Sequence, residues 1–151
     1  MLGPCRYHEL CYAHFPNWVL LLPSMRETAT ARIALGDDGV VVVRIRQDAR
    51  QLPKDAHENL DAAVAETQGR RRPLLVDVTG AQPLDAETRH VYSGHRVVDN
   101  FTALALVVES SPLGVMMGNV YFRVASLGIP VRLFTDHTGA IEWLGRARHD
   151  H

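Results

Sequence analysis

The chain is poor in cysteine. Cys5 and Cys11 are its only two, both near the start of 151 residues. That excludes a disulfide scaffold and fits a reducing compartment, so a cytoplasmic location is expected. Net charge is equally scarce: 16 basic residues oppose 17 acidic ones, for a formal balance of -1. Nothing in bulk draws the chain to nucleic acid or to an anionic membrane. Long apolar runs are missing too. The candidate membrane stretch, Trp18-Val19-Leu20-Leu21-Leu22, is closed by Pro23 and falls far short of the roughly 20 residues a membrane span needs. It has no basic lead and no small-residue cleavage site, so no signal peptide is expected. No Gly-x-Ser-x-Gly, P-loop or dinucleotide fingerprint occurs. Gly114-Val115-Met116-Met117-Gly118 lacks the Lys-Ser/Thr ending of a phosphate cradle.

What remains divides into two parts. Residues 1–30 carry Pro4, Pro16 and Pro23, scattered aromatics and no sustained period. They are expected to form a poorly ordered extension, because termini order only when tied down. Met25 is a candidate true start. Residues 31–147 are regular and long enough for one domain with its own core, with 148–151 as a tail.

Within that body, Ala31–Leu35 and Val40–Arg46 read as strands joined by Gly36-Asp37-Asp38-Gly39, a turn composition that favours a hairpin with left-handed positions. The β-branched run from Val40 to Val43 suits a strand covered on both faces. Residues 53–67 read as a helix, with Pro53 at its first position, Ala56, Leu60, Ala63 and Val64 on one stripe, and Gly69 after its last turn. The basic run Arg70-Arg71-Arg72 complements the negative end of that helix. Leu74–Val78 is the central strand, closing in a polar turn. A second helix runs from about Ala86 to Val98 behind the N-cap Asp85, and 103–108 is an uncharged buried strand. Ser111-Pro112 opens a third helix, whose stripe includes Met116, Met117, Val120, Tyr121, Val124 and Leu127, and Gly128 and Pro130 stop it. Val131–Phe134 is the last strand, and Thr135 or Asp136 caps a final helix carrying Ile141, Trp143 and Leu144. The order is ββαβαβαβα. It implies an α/β domain with a mostly parallel sheet, right-handed crossovers and one antiparallel hairpin strand.

This order resembles the STAS domain of anti-sigma-factor antagonists, and more closely a branch of STAS-like and SpoIIAA-like bacterial proteins. The residues that carry the resemblance are Arg72-Pro73-Leu74-Leu75-Val76-Asp77, the Asp85 helix start, Ser111-Pro112-Leu113, Val131-Arg132-Leu133-Phe134-Thr135-Asp136 and Ala140-Ile141-Glu142-Trp143-Leu144. The resemblance implies a regulatory, non-enzymatic module that binds a protein partner. In the antagonists an Asp-Ser-Ser-Gly turn opens the helix after the central strand, and one serine takes the regulatory phosphate. Here Asp85 stands on the aspartate, Ala86 and Glu87 on the serines, and Thr88 on the glycine. The phosphorylatable serine is gone. The alternative is a small-molecule or lipid carrier, because the fold resembles Sec14-type lipid-binding domains in outline. An enzyme is the least favoured class.

Ligands of open α/β sheets gather at the carboxyl ends of the parallel strands. Asp77, Thr79, Asp85, Glu87, Thr88, Ser111 and Asp136 should lie near that edge and are the candidate partner- or ligand-binding residues; Ser110 and Thr135 belong to the same neighbourhood. No nucleophile with a base can be named among them, so no catalytic residue is assigned. Cys5, His8, Cys11 and His14 recur every third residue, but structural zinc sites join two ligand pairs across a longer loop, so neither metal nor cofactor is expected. His90 and His95, five apart, do not share a helix face, and His95 is expected partly buried beside Val91, Tyr92 and Val98. Tyr121 and Phe122 diverge by roughly 100° around a helix, so one of them can cover a partner or a second copy of the chain. A protein partner, self-association and a small apolar ligand are the expected associations.

Overall fold

The computed structural model describes residues 25–110 and 128–149. Strands β1 (Arg26–Glu27), β2 (Ala31–Leu35), β3 (Val41–Ile45), β4 (Arg72–Asp77), β5 (Phe101–Val107) and β6 (Val131–Phe134) form one sheet in sequential order. Helices α1 (Pro53–Glu66), α2 (Ala86–Tyr92), α3 (His95–Asn100) and α4 (His137–His149) accompany them. β1, β2 and β3 pair antiparallel, and β3 through β6 pair parallel.

Local chemistry explains most boundaries. In the β2–β3 hairpin, Gly39 takes a φ of 81° and Asp38 Oδ1 accepts from the Val40 amide, so the turn needs a residue at ease in the left-handed region. Pro53 opens α1, where a missing N–H leaves nothing unsatisfied. Asp55 reaches back to accept from the Leu52 amide at 2.9 Å, which is the acidic half of a capping box. Reversal after α1 is spread over two left-handed residues, Gln68 at φ 55° and Gly69 at φ 77°. The arginines that follow serve helix ends. Arg72 Nε donates to the Thr67 carbonyl at 2.8 Å, and Arg71 Nη2 donates to the Val98 and Phe101 carbonyls at the end of α3. Guanidiniums thus cover carbonyls that lack helical partners.

The sheet separates two apolar layers. On one face Val41, Val43, Ile45, Leu74, Leu104 and Leu106 pack under α1, α2 and α3. On the other, Val40, Val42, Leu75, Ala105 and Val107 pack under Ala140, Leu144 and Ala147 of α4. The run from Val40 to Val43 supplies both layers, as strict alternation along a doubly covered strand requires.

Two features differ from the expected order. The polar lead before Ala31 contains a strand, because Arg26 and Glu27 pair with Ile33 and Arg32 and Arg26 Nε reaches buried Glu66 at 3.1 Å. The second helix is two. It breaks at Ser93-Gly94, where the Ser93 hydroxyl and amide both turn back to the His90 carbonyl and Gly94 becomes the N-cap of α3. A hydroxyl that bonds a carbonyl of the preceding turn competes with helix continuation. That break turns His95 outward, so it is exposed rather than partly buried. The expected third helix, with Ser111, Met116, Met117, Tyr121 and Phe122, lies outside the described residues, as do residues 1–24 with Cys5, His8, Cys11 and His14.

Candidate functional site at the carboxyl edge of the parallel strands

β3 and β4 run parallel, with Arg44 opposite Asp77. Alternation puts both on the α4 face, at the last position before that layer opens. Asp77 is completely buried. Its Oδ2 meets Arg44 Nη1 at 2.7 Å and His137 Nε2 at 2.6 Å, and its Oδ1 accepts from the Thr79 amide at 2.8 Å. The Arg44 contact is an ion pair without an aligned hydrogen bond, since Nη1 is buried and points along no acceptor. Burial by itself pushes the Asp77 carboxyl up. The His137 hydrogen bond, the Arg44 charge and the Thr79 bonds outweigh it and hold the carboxyl below its ordinary value. Asp77 is therefore an ionised anchor that ties β3, β4 and the first residue of α4 together.

Around this centre the loops present a polar rim. Glu109 Oε1 accepts from the Gly80 amide at 2.8 Å, and Gly80 in turn bonds the Asp48 amide through its carbonyl. Gly80 has a φ of 77°, and a Cβ there would stand 3.0 Å from Gln47 Cγ, so the close crossing of two loops depends on a glycine. Asp136 caps α4 by accepting from the Gly139 amide at 2.6 Å. Asp85 caps α2 by accepting from the Thr88 amide at 2.8 Å. That bond, together with Arg50 and Arg89 nearby, lowers its carboxyl from the ordinary value.

The candidates named from sequence fall into three groups. Asp77, Thr79 and Asp136 converge beside the α4 start. Asp85 and Glu87 are exposed at the α2 start. Thr88 faces inward, fully buried, its hydroxyl donating to the Gln51 carbonyl at 3.2 Å. It presents nothing to a partner or a kinase. Ser111 lies outside the described residues. Sequence reasoning missed Arg44 and His137. The signal for Arg44 was a charge at an inward position of a doubly covered strand. For His137 there was none, because its partner is 60 residues away.

A second polar centre occupies the opposite face, under α1. Asn59 Nδ2 donates toward Thr30 Oγ1, Tyr92 Oη and Gln51 Oε1 at 2.9, 3.2 and 3.3 Å, and Thr28 donates to Asn59 Oδ1. The Tyr92 hydroxyl donates to Gln51 Oε1. Burial pushes the Tyr92 hydroxyl up to about 12. Tyr92 was expected from sequence only as part of an apolar helix face, and the others were not singled out, although Asn59 stands inside the apolar stripe of α1. Among the described residues no cluster of histidines, cysteines and carboxylates is arranged to hold a metal ion, and no helix is long and apolar enough to cross a membrane.

Comparison with known proteins adds the family. No curated protein matches the chain. A solved structure, that of an uncharacterised protein of the DUF3478 family with a SpoIIAA-like fold from Shewanella loihica PV-4, is similar with a TM-score of 0.54 and 15% identity, covering 79% of this chain and 98% of that one. At that identity the likeness concerns the fold, and it agrees with a mostly parallel sheet carrying one antiparallel hairpin. The family model of a domain of unknown function, DUF7793, matches residues 34–148, and the chain therefore belongs to the DUF7793 family, here built on a SpoIIAA-like fold.

Proposed function

We propose that this protein is a non-enzymatic binding module whose carboxyl edge docks a protein partner of basic character, without a phosphate switch at the α2 start. One observation carries the reading. Exposed carboxylates stand on the loops and helix starts that follow the strands, at Asp48, Asp85, Glu87, Glu109 and Asp136, with Arg50 beside Asp85, while the buried charge of Asp77 has its partners inside the fold. Charge at such a rim steers encounter and sets specificity more than it adds raw affinity. Where the antagonists carry a phosphoacceptor, this chain has exposed Ala86 and Glu87, and the adjacent hydroxyl of Thr88 is locked inside. Glu87 supplies a constant negative charge that no kinase controls.

The experiment is site-specific photo-crosslinking in the native host. A crosslinker at exposed position 86 should capture a defined protein. The same probe at exposed Glu142, on the far part of α4, should not. Combining Asp85→Asn, which keeps a capping side chain, with Glu87→Lys should abolish the crosslink. Equal capture at both positions, or capture indifferent to charge reversal, would count against the reading. A lipid carrier receives less support: the cavity bounded by described residues measures about 50 Å³, whereas pockets for drug-sized ligands run to roughly 300–1,000 Å³.

A further inference from the structure

Four charged side chains stand in one line across the sheet. Glu27 on β1 lies opposite Arg32 on β2, Arg32 lies opposite Arg44 on β3, and Arg44 lies opposite Asp77 on β4. Residues directly opposite each other share a face, so all four are on the α4 side. The order of charges is negative, positive, positive, negative. At the two ends the neighbours attract: Arg32 Nε is 3.2 Å from Glu27 Oε1, and Arg44 Nη1 is 2.7 Å from Asp77 Oδ2. In the middle they repel. Opposed residues of an antiparallel pair hold their Cβ atoms roughly 5 Å apart, and like charges there are destabilising. Arg46, two residues beyond Arg44, adds a third guanidinium and shares Glu27 with Arg32, at 3.7 Å. Three arginines thus divide two carboxylates, and one of these, Asp77, also serves His137.

The two opposed guanidiniums have donors to spare. Among the described residues, no side-chain nitrogen of Arg32 or Arg44 makes an aligned hydrogen bond. Only Arg32 Nε and Arg44 Nη1 are sealed from solvent, and these are the atoms already set against the carboxylates. The other nitrogens, Nη1 and Nη2 of Arg32 and Nε and Nη2 of Arg44, open on accessible space. Departures from a local rule that bring the fold no gain gather at functional sites. A neutral ligand would leave the two charges facing each other. A carboxylate has two oxygens in one plane and fills a single fork. A phosphate spreads its oxygens about a tetrahedron and accepts from both arginines at once. We propose that Arg32 and Arg44, with Arg46 at the margin, form a binding site for a phosphate group, free or carried on a small molecule. Its oxygens accept from the open nitrogens, and its charge offsets the repulsion between the opposed guanidiniums. The site uses none of the exposed carboxylates of the docking edge and stands without that reading.

The test uses the full-length protein, isotope-labelled at its arginines, with ionic strength held constant by sodium chloride. Inorganic phosphate, ethyl phosphate and acetate are titrated in turn while the arginine Nε–H signals are followed by NMR. Saturable shifts at Arg32 and Arg44 are expected with a phosphate probe, and acetate should bind about fivefold more weakly, as the loss of a hydrogen bond implies. A preference for ethyl phosphate would place the group on a small molecule; a preference for inorganic phosphate would make the free ion the ligand. Arg32→Gln removes a partly exposed guanidinium and should weaken phosphate roughly tenfold, the scale of one charge-assisted hydrogen bond. Arg70→Gln, at an exposed residue before β4, should change nothing. Should Arg32→Gln fail to fold, Arg32→Lys keeps the charge, loses the fork and should still bind phosphate more weakly. Shifts that never saturate, shifts at Arg70 as large as those at Arg32, acetate binding as tight as phosphate, or undiminished phosphate binding without the Arg32 guanidinium would each overturn the proposal.

Discussion

The two faces of the sheet each bury a polar centre, and the two are built on opposite principles. Under α4 the centre is ionic: Asp77, Arg44 and His137, drawn from two adjacent strands and a helix start. Under α1 it is neutral: Gln51, Asn59, Tyr92 and Thr30, linked by hydrogen bonds between uncharged groups. The ionic centre gives its carboxylate a partner on each oxygen, as an unpaired buried charge is too costly to keep. Each centre also holds one buried nitrogen without a hydrogen bond, Arg44 Nη1 in the ionic one and Gln51 Nε2 in the neutral one; the charge of Asp77 faces the first at 2.7 Å, and the second is an uncharged group whose penalty is smaller. One face is held by charge, and the other by a shared network of uncharged hydrogen bonds.

The largest effect should come from breaking the ionic centre. Asp77→Ala strands Arg44 in a nearly closed site, and chemical denaturation should show a loss of about 3–5 kcal/mol, the usual penalty for removing one partner of a buried pair. Replacing both, as Arg44→Met with Asp77→Leu, should cost distinctly less than the single change. A double variant as unstable as Asp77→Ala would mean that the pair itself, and not the stranded charge, dominates. Asn59→Ala should come next, at about 2–3 kcal/mol, because it removes an amide whose two N–H groups are shared among Thr30, Gln51 and Tyr92 and whose oxygen accepts from Thr28. Tyr92→Phe takes away one hydroxyl and keeps the ring, so about 1 kcal/mol is expected. Solution pH sharpens the contrast without mutation. The Asp77 carboxyl titrates below its unfolded value, so its contribution is complete above about pH 4 and fades as pH falls through the folded value. The Tyr92 hydroxyl titrates above its unfolded value, so its contribution is complete below about pH 10 and fades as pH rises toward 12. Denaturation across pH should therefore show an acid limb that shrinks in Asp77→Asn, with Asp85 supplying what remains, and an alkaline limb that shrinks in Tyr92→Phe.

Much of the fold was legible because it rests on local signals. The valine run announced a strand covered twice, Pro53 announced a helix start, and Asp85 and Asp136 announced caps that both hold. The α2–α3 break was less legible, since Ser93-Gly94 can also lie within a helix and only the turn back to His90 decides. The site was legible in part. Asp77 sat at a strand end where ligands of such sheets gather, and there it joins β3, β4 and the start of α4. That depends on Arg44 and on His137, whose approach is a property of the closed sheet and not of any sequence window. Thr88, named among the candidates at the helix start, is buried, and the first turn of α2 rolls its hydroxyl onto the Gln51 carbonyl. Tyr92 was read as apolar filling, and its ring does line the core; its hydroxyl has a second role that hydrophobic periodicity cannot register.

The pairing of Arg44 with Asp77 also bears on how β3 finds its place. A slip of two residues between parallel strands keeps every side chain on its own face, and Val41, Val42 and Val43 are nearly interchangeable in such a slip. Hydrophobic pattern alone would therefore permit it. With the charges present, the slip sets Arg44 against Leu75 or Asp77 against Val42, placing an ion in a layer of hydrocarbon. The pair works as an alignment mark: the valines drive β3 onto β4, and the two charges exclude the neighbouring registers.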